Sequence, residues 1–161
     1  MAIKIRPLKS ADLKSKSGFW DTLDNLVFGK KVRYSQALRA YNRVKKQGGH
    51  VFVAVDSASG QVVGATTLLV EQKFIRGLAL AGHIEDVVTR KGFEGQGVAS
   101  QLITAALKKA KALGCYKIIL DCHKDLVGFY KKFDFQAVGV QMKIYFKIGR
   151  ASCRERVYVL V

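Results

Sequence analysis

A glycine-rich turn joins a predicted strand to a long amphipathic helix between Val87 and Gly114. The segment reads VVTRKGFEGQGVASQLITAALKKAKALG, and apolar residues recur at helical spacing in its second half. Gly95 and Gly97 permit positive φ and a close approach of the backbone. The first turn of such a helix presents free N–H groups, which together with the helix dipole favour an anion. The segment therefore predicts a strand–turn–helix unit that could hold a phosphate.

The glycine turn alone does not identify a ligand. No Gly-Lys-Ser/Thr follows it, so it is not a Walker loop, and it lacks the third glycine of a dinucleotide-binding fingerprint. Glu94 stands at the lip of the turn and would repel an anion if its side chain pointed inward. An ordinary tight turn therefore remains the alternative to a phosphate site.

The remaining pattern predicts one α/β domain. Reading along the chain, we expect the order β-α-α-β-β-β-α-β-α-β, in which YKIILDC is a buried strand and FQAVGVQMKIYF the final strand. This order indicates a single mixed central sheet flanked by helices. A chain of 161 residues is long enough for one such core, and we assign it to residues 1–146.

The last fifteen residues, 147–161, read KIGRASCRERVYVLV and form a separate segment. The stretch IGRASCRERV resembles the translation of a common sequencing-library adapter, so we expect a non-native tail fused to the domain. The alternative is a short extra strand, since VYVLV is rich in β-branched residues.

The chain carries a formal net charge of +16, and residues 1–50 alone hold 12 basic and 3 acidic residues. The basic residues are scattered through amphipathic patterns and form no run. This distribution favours a solvated basic face, or attraction of an anionic small molecule, over nucleic-acid binding. The N-terminus lacks the apolar core of a signal peptide, and no apolar run reaches membrane-span length. We therefore expect a cytoplasmic protein without nucleic-acid or membrane partners.

Cysteine and histidine usage predicts free thiols and no metal site. Cys115 and Cys122 bracket a predicted strand and would lie about 23 Å apart at 3.3 Å per residue. A disulfide needs Cα atoms within about 7 Å. His50, His83 and His123 lie far apart in the sequence and have no neighbouring cysteine or histidine at zinc-ligand spacing.

Several motifs around the glycine turn resemble one enzyme family. EGQGVA is similar to the acetyl-CoA turn of the GNAT N-acetyltransferase superfamily. EQKFIRG, AGHIEDVV, LGCYKIILDC, FYKKFDF and VQMKIYF resemble the glucosamine-6-phosphate N-acetyltransferases within it. The resemblance covers residues 3–146 and implies a GNAT fold, with acetyl-CoA lying between the fourth and fifth strands. GHIEDVV combined with GCYKIILDC is the specific part of the match.

The resemblance also implies the acetyl-CoA contacts. The pyrophosphate would lie on the glycine turn, and the pantetheine arm would pair with the fourth strand like an added strand. A backbone N–H near Val87 would polarise the thioester carbonyl. The implied cofactor-binding residues are Val87, Val88, Thr89, Gly95, Gln96, Gly97, Val98, Ala99 and Ser100.

For the amino sugar and the chemistry, the resemblance implies direct attack of an amine on the thioester. Tyr130 would donate a proton to the departing thiolate, and Asp121 would orient or deprotonate the amine. Asp86 completes the implied catalytic set, although adjacent residues such as Glu85 and Asp86 point to opposite faces of a strand. The implied substrate-binding residues are Lys73, Phe74, Ile75, Arg76, Glu85, Asp86, Val87, Tyr116 and Lys117.

The implied activity is conversion of glucosamine 6-phosphate to N-acetylglucosamine 6-phosphate by a homodimer, in UDP-N-acetylglucosamine biosynthesis. Five residues depart from the family pattern: Glu94 and Leu126 on the cofactor side, Val27 and Tyr145 on the sugar side, and Asp134 in place of a glycine. The alternatives are a GNAT enzyme for a different amine, or a degenerate acyl-CoA-binding module with little turnover.

Overall fold

The computed structural model describes residues 2–26 and 32–146, so the predicted tail and Val27 lie outside the described residues. The α/β class with one mixed sheet is confirmed. The strands are β1 Ile3–Pro7, β2 His50–Asp56, β3 Val62–Gln72, β4 Leu80–Thr89 and β5 Cys115–Leu120. The helices are α1 Phe19–Leu23, α2 Tyr34–Lys46, α3 Ile75–Leu78, α4 Val98–Ala112 and α5 Val127–Lys131. The chain divides into two compact units, and the first unit ends at Cys122.

The sheet lies wholly in the first unit and has the order β1-β2-β3-β4-β5. Neighbours from β1 to β4 run antiparallel, which suits their short connections. β4 and β5 run parallel, and α4 is the crossover between them. The glycine turn thus lies between β4 and α4, at the end of the strand where β4 leaves the sheet.

Both faces of the sheet are covered by apolar side chains. On one face, Val98 and Leu102 of α4 pack with Ala54 and Val63. On the other face, the buried cluster consists of Leu8, Leu13, Phe19, Ala37, Val53, Val62, Ala65 and Val88. At about 25 cal/mol per Å² of buried apolar surface, this double-sided burial is the main term that stabilises the sheet.

The second unit contains α5 and a small aromatic cluster. Phe129 contacts Tyr130 and Phe133 edge-on, with ring centroids 5.0 Å and 5.4 Å apart. Phe135 contacts Tyr130 at 6.0 Å. These contacts explain why a helix of only five residues is held in place.

The predicted final strand is wrong for the described residues, because 132–146 contain no strand. The apolar residues of this segment alternate as in a strand but are exposed, and they are Val138, Val140, Met142, Ile144 and Phe146. A strand needs hydrogen-bond partners, and no strand pairs with this segment within the described part of the chain. Across residues 2–26 and 32–146, no helix has the length and apolar character to cross a bilayer.

Candidate active site

A β-bulge in the middle of β4 changes the face of the sheet to which its side chains point. Between the pairs Ala65–Val88 and Thr67–Glu85, β3 advances two residues while β4 advances three. The additional residue is accommodated where Asp86 adopts a left-handed conformation, with φ of +53°. Bulges leave a ladder locally unpaired and often lie beside active sites. This bulge places Glu85 and Val88 on the same face of the sheet, whereas a regular strand would separate them.

Beyond the bulge, β4 and β5 part. Their parallel ladder ends at the pair Ile84–Leu120, where β5 itself ends, while β4 continues to Thr89. On this side of residues 85–89, no strand of the described chain supplies a partner. The backbone N–H and C=O groups here can therefore accept an extended ligand as an added strand. The predicted role of Val87, Val88 and Thr89 in pairing with the arm of acetyl-CoA stays a prediction.

The glycine turn leads directly into α4. Gly95 and Gly97 have φ of +73° and +76°, and a Cβ on either would meet no atom within 4 Å. These glycines therefore serve the backbone conformation and leave open space in front of it. Gly97 is the N-cap of α4 and gives no side-chain cap, so the N–H groups of the first turn remain available to an anion.

Glu94 folds back onto its own turn. Its Oε2 accepts a hydrogen bond of 2.6 Å from the Gly92 N–H, and the Gln96 side chain donates to the Gly92 carbonyl at 3.2 Å. Glu94 is exposed. The carboxylate thus satisfies one donor of the turn, while the backbone from Gln96 to Ser100 leads into the helix N-terminus.

Three polar side chains meet where β4 and β5 part. His83 Nε2 lies 3.2 Å from Glu85 Oε1 and 3.7 Å from Asp121 Oδ2. The reactive atoms of the three side chains all lie within 4.8 Å of one another. His83 and Glu85 share a face because they are two residues apart on β4, and Asp121 directly follows β5. The group is partly exposed and can meet a polar substrate.

A cationic pair lies on the ring of Tyr116. The Arg76 guanidinium carbon is 5.2 Å from the ring centroid and Lys117 Nζ is 5.6 Å from it. Arg76 itself adopts a left-handed conformation with φ of +54° in the connection between β3 and β4. Lys73, by contrast, forms an ion pair of 2.5 Å with Glu71. Arg76 and Lys117 are therefore the better phosphate ligands among the predicted cations.

Tyr130 is buried, with 7% of its surface exposed, and it belongs to the second unit. Its ring packs edge-on against Phe129 and Phe135. This packing fixes the ring, which is the condition that a positioned proton donor must meet. Its predicted role as an acid stays a prediction.

The structure brings together several of the residues predicted from the sequence. Glu85 and Asp121 meet, whereas Asp86 is exposed on the bulge and has no part in their contact. Phe74 and Ile75 are exposed, by 91% and 63%. Among the departures from the family pattern, Leu126 and Tyr145 are exposed as well.

The sequence reasoning missed two residues around β4. His83 lies at the centre of the polar group, and the alternation in GHIED could have placed it beside Glu85. Asn25 donates a hydrogen bond of 2.9 Å to the Thr89 carbonyl and so holds the end of β4. No signal in the sequence indicates this contact, because 64 residues separate the partners.

Comparison with known proteins supports the family resemblance seen in the sequence motifs. The profile of the acetyltransferase (GNAT) family matches residues 18–135. Glucosamine 6-phosphate N-acetyltransferase 1 of Dictyostelium discoideum is 37% identical over 145 residues, covering 89% of this chain and 90% of the relative. The enzyme of the same name from Oryza sativa subsp. japonica is 37% identical over 148 residues, covering 90% and 88%.

Solved structures agree with the sequence relatives. The crystal structure of glucosamine-6-phosphate N-acetyltransferase from Arabidopsis thaliana superposes with a TM-score of 0.85 at 30% identity, covering 91% of this chain and 99% of that one. The family profile, the relatives and the shared fold lead to one conclusion: the chain is an acyltransferase that belongs to the GNAT acetyltransferase family.

Proposed function

We propose that this protein transfers the acetyl group of acetyl-CoA to the amine of glucosamine 6-phosphate. The observation that carries the proposal is the edge where β4 and β5 part. It has an anion cradle at the α4 N-terminus, carboxylates from both strands, and the Arg76–Lys117 cations beside Tyr116. An amino-sugar phosphate has an amine for the carboxylates and a phosphate for the cations. The relatives named for this reaction support the assignment.

The donor side is supported by backbone geometry. Members of the GNAT family use acetyl-CoA, which supplies an activated thioester. The open turn at Gly95 and Gly97 and the uncapped start of α4 suit its pyrophosphate. The unpaired side of 85–89 suits its extended arm. A hydrogen bond from the Val87 backbone N–H would stabilise negative charge on the carbonyl oxygen, a contribution of about 3 kcal/mol in comparable sites.

On the acceptor side, the residues of this chain prepare the amine. Asp121 and Glu85 lie close enough together to hold an ammonium group between their carboxylates. Asp121 accepts the proton that the amine must lose before its lone pair attacks the thioester carbon. The C–N bond forms as the C–S bond breaks, and the departing thiolate takes up a proton, for which the family resemblance implies Tyr130 as the donor.

We infer a homodimer for the protein in solution. β5 is an edge strand, and the exposed segment 136–146 alternates apolar residues without a strand partner in the described chain. If this segment paired with β5 of a second copy, the unpaired backbone N–H and C=O groups of the segment and of the edge strand would find hydrogen-bond partners. The free thiols Cys115 and Cys122 support a reducing, cytoplasmic location.

A second candidate is a GNAT enzyme that acetylates another amine, which the aromatic and apolar exposure of Phe74 and Ile75 favours. Release of CoA thiol from acetyl-CoA, measured with glucosamine 6-phosphate and a panel of other amines, separates the two. Turnover of the phosphosugar that is abolished in Tyr130→Phe but retained in Tyr34→Phe supports the proposal. Turnover of other amines alone would select the second candidate, and binding of CoA without turnover would indicate a degenerate module.

A further inference from the structure

His83 has an unusual combination of burial and missing hydrogen bonds. Its Nε2 atom is buried and has no hydrogen-bond partner among the described residues, although two carboxylate oxygens lie 3.2 Å and 3.7 Å away. A buried polar atom without a partner costs about 1–3 kcal/mol, so such an atom calls for a functional explanation. The nitrogen lies near both carboxylates and forms a hydrogen bond with neither.

Among the described residues, Glu85 and Asp121 are the charged groups within ion-pair distance of His83. Its register neighbours are Leu69 on β3 and Ile119 on β5, and both are apolar. Glu85 comes from its own strand and Asp121 from the end of β5. Among the described residues, His83 forms no other ion pair.

We propose that His83 is a positioning residue that acts through Asp121 and receives the proton which Asp121 takes from the attacking amine. The inference rests on the proposed function. An imidazole exchanges a proton near neutral pH, which a carboxylate alone does poorly. Passing the proton to His83 returns Asp121 to its ionised state before the next amine arrives.

The proton balance closes without another reactant. The ammonium N–H bond breaks and an O–H bond forms on Asp121. This O–H bond then breaks as an N–H bond forms on His83 Nε2. Because Nε2 is buried while the side chain as a whole is 30% exposed, the imidazolium gives up a proton to solvent through its other ring nitrogen, Nδ1, and the neutral ring then exchanges tautomers to free Nε2 again. The amine lone pair forms the C–N bond, and the electrons of the C–S bond leave with the thiolate.

A proton relay from Asp121 to His83 requires the distance between Asp121 Oδ2 and His83 Nε2 to shorten. The 3.7 Å from His83 Nε2 to Asp121 exceeds hydrogen-bond length, which is about 2.7–3.2 Å. A side-chain adjustment of less than about 1 Å, or one bridging water, closes this gap. Glu85 Oε1, at 3.2 Å from Nε2, is the nearer of the two carboxylate oxygens.

The first test is His83→Gln, which keeps a donor group of similar reach but cannot carry a proton. We expect kcat with glucosamine 6-phosphate to fall at least about tenfold while the KM for acetyl-CoA changes less than about twofold. His50→Gln, another partly buried strand histidine, is the control and should leave both unchanged. Millimolar imidazole should restore part of the kcat lost in His83→Ala. Full activity in His83→Gln would overturn the proposal.

The pH profile separates a relay from a merely structural role. In the wild type, kcat should fall once the pH is low enough to protonate His83, because an imidazolium cannot accept another proton. His83→Gln should lose this limb of the profile. A lower kcat with an unchanged profile shape would contradict the relay. Loss of turnover after EDTA treatment would also contradict it, because the three groups would then share a metal ion rather than a proton.

A spectroscopic test does not depend on turnover and so distinguishes this inference from the proposed function. The ring ¹⁵N signals of His83 in the unliganded protein should shift in Asp121→Asn relative to the wild type at the same pH. They should not shift in Asp125→Asn, which alters the separate His123–Asp125 pair. Unchanged His83 signals in Asp121→Asn would overturn the relay even if the phosphosugar is the substrate.

Discussion

Glu94 places a negative charge beside the proposed binding site of an anionic ligand, the pyrophosphate of acetyl-CoA. Its carboxylate accepts a hydrogen bond from the Gly92 N–H, which keeps a negative charge within the turn proposed to bind the pyrophosphate. The penalty is electrostatic and therefore depends on ionic strength. The hydrogen bond to Gly92 also shows that the side chain serves the turn and is more than a solvent-exposed charge.

We predict that Glu94→Gln and Glu94→Arg tighten the binding of acetyl-CoA at low salt by about 2-fold to 10-fold, because a like charge near the pyrophosphate is removed. Isothermal titration at low and high salt measures the effect, which should shrink at high salt. Glu71→Gln, a matched change far along β3, is the control. Equal affinity of all variants would mean that the charge of Glu94 has no influence on the site.

Asp12 gives a second prediction at this scale, one that depends on pH. Its carboxylate accepts hydrogen bonds from the Arg6 guanidinium at 2.6 Å and 2.8 Å and from the Lys9 N–H at 2.7 Å. Burial raises the pKa of Asp12, but these hydrogen bonds outweigh burial and hold the pKa below its ordinary value. The ionised carboxylate therefore stabilises the fold above about pH 4, and this contribution is lost as the pH falls through the lowered pKa.

We expect Asp12→Asn to lower the free energy of unfolding at pH 7 by about 1–2 kcal/mol, a range that allows for partial exposure of the pair. Urea unfolding at pH 7 and near pH 3 tests this, and the difference from the wild type should shrink at the lower pH. A difference that is the same at both pH values would show that the ion pair is not its cause.

Residues that act through long-range contacts are the ones the sequence does not reveal. Glu85 and Asp121 could each be proposed as site residues, because both lie in the motifs GHIEDVV and GCYKIILDC that carry the family resemblance. The bulge at Asp86 could not be predicted, since it depends on how β3 and β4 pair. The sequence places no histidine or cysteine near His83 at metal-ligand spacing, and this spacing gives no sign of its carboxylate neighbours Glu85 and Asp121.

At the scale of elements, α4 shows how packing positions the glycine turn. The pattern predicts a helix from about Val98 to Leu113, and the structure has Val98–Ala112. Periodicity suffices here because one apolar stripe faces the sheet along the whole helix. The close approach of α4 to β3 is different, because it depends on Gly64 lying beneath Val98 and Leu102.

We predict that Gly64→Ala destabilises the protein by about 1–3 kcal/mol, the usual effect of overpacking a core. A Cβ there would lie 2.6 Å from Val98 Cγ1 and 3.0 Å from Leu102 Cδ1, so the start of α4 would have to move. Urea unfolding measures the loss, and the affinity for acetyl-CoA should fall with it. Gly128→Ala is the control, because its Cβ meets open space in α5. Equal stability of Gly64→Ala and the wild type would contradict this packing.

The final strand marks the limit of element prediction from the sequence. Residues 135–146 have the alternation of a strand, yet alternation describes only a preference for a half-buried surface. Whether a strand forms depends on a partner, and the described chain supplies none. In the homodimer that we propose, a second copy of the chain would supply this strand partner.

At the scale of the whole molecule, the dimer has a direct test. We expect light scattering after size exclusion to give about twice the 17.8 kDa of one chain. Val140→Lys together with Met142→Lys should shift the protein towards the monomer, because charges on an edge segment oppose strand pairing. Lys143→Ala, within the same segment, is the control. A monomeric wild type at micromolar concentration would contradict the dimer.

The excess of positive charge also belongs to this scale. A net charge of +16 creates a field that attracts anions, and both proposed substrates are anionic. This field raises encounter rates but gives little selectivity. We therefore expect discrimination of a phosphosugar to come from the local cations Arg76 and Lys117.

The central claim is tested most directly by kcat/KM for glucosamine 6-phosphate relative to glucosamine, measured by CoA release at saturating acetyl-CoA. Hydrogen bonds to charged groups contribute about 1.5–3 kcal/mol each, so we predict a preference for the phosphosugar of at least about 100-fold. Arg76→Ala and Lys117→Ala should reduce this ratio and leave turnover of glucosamine unchanged. Equal kcat/KM for the two sugars, or no turnover of either, would contradict the account.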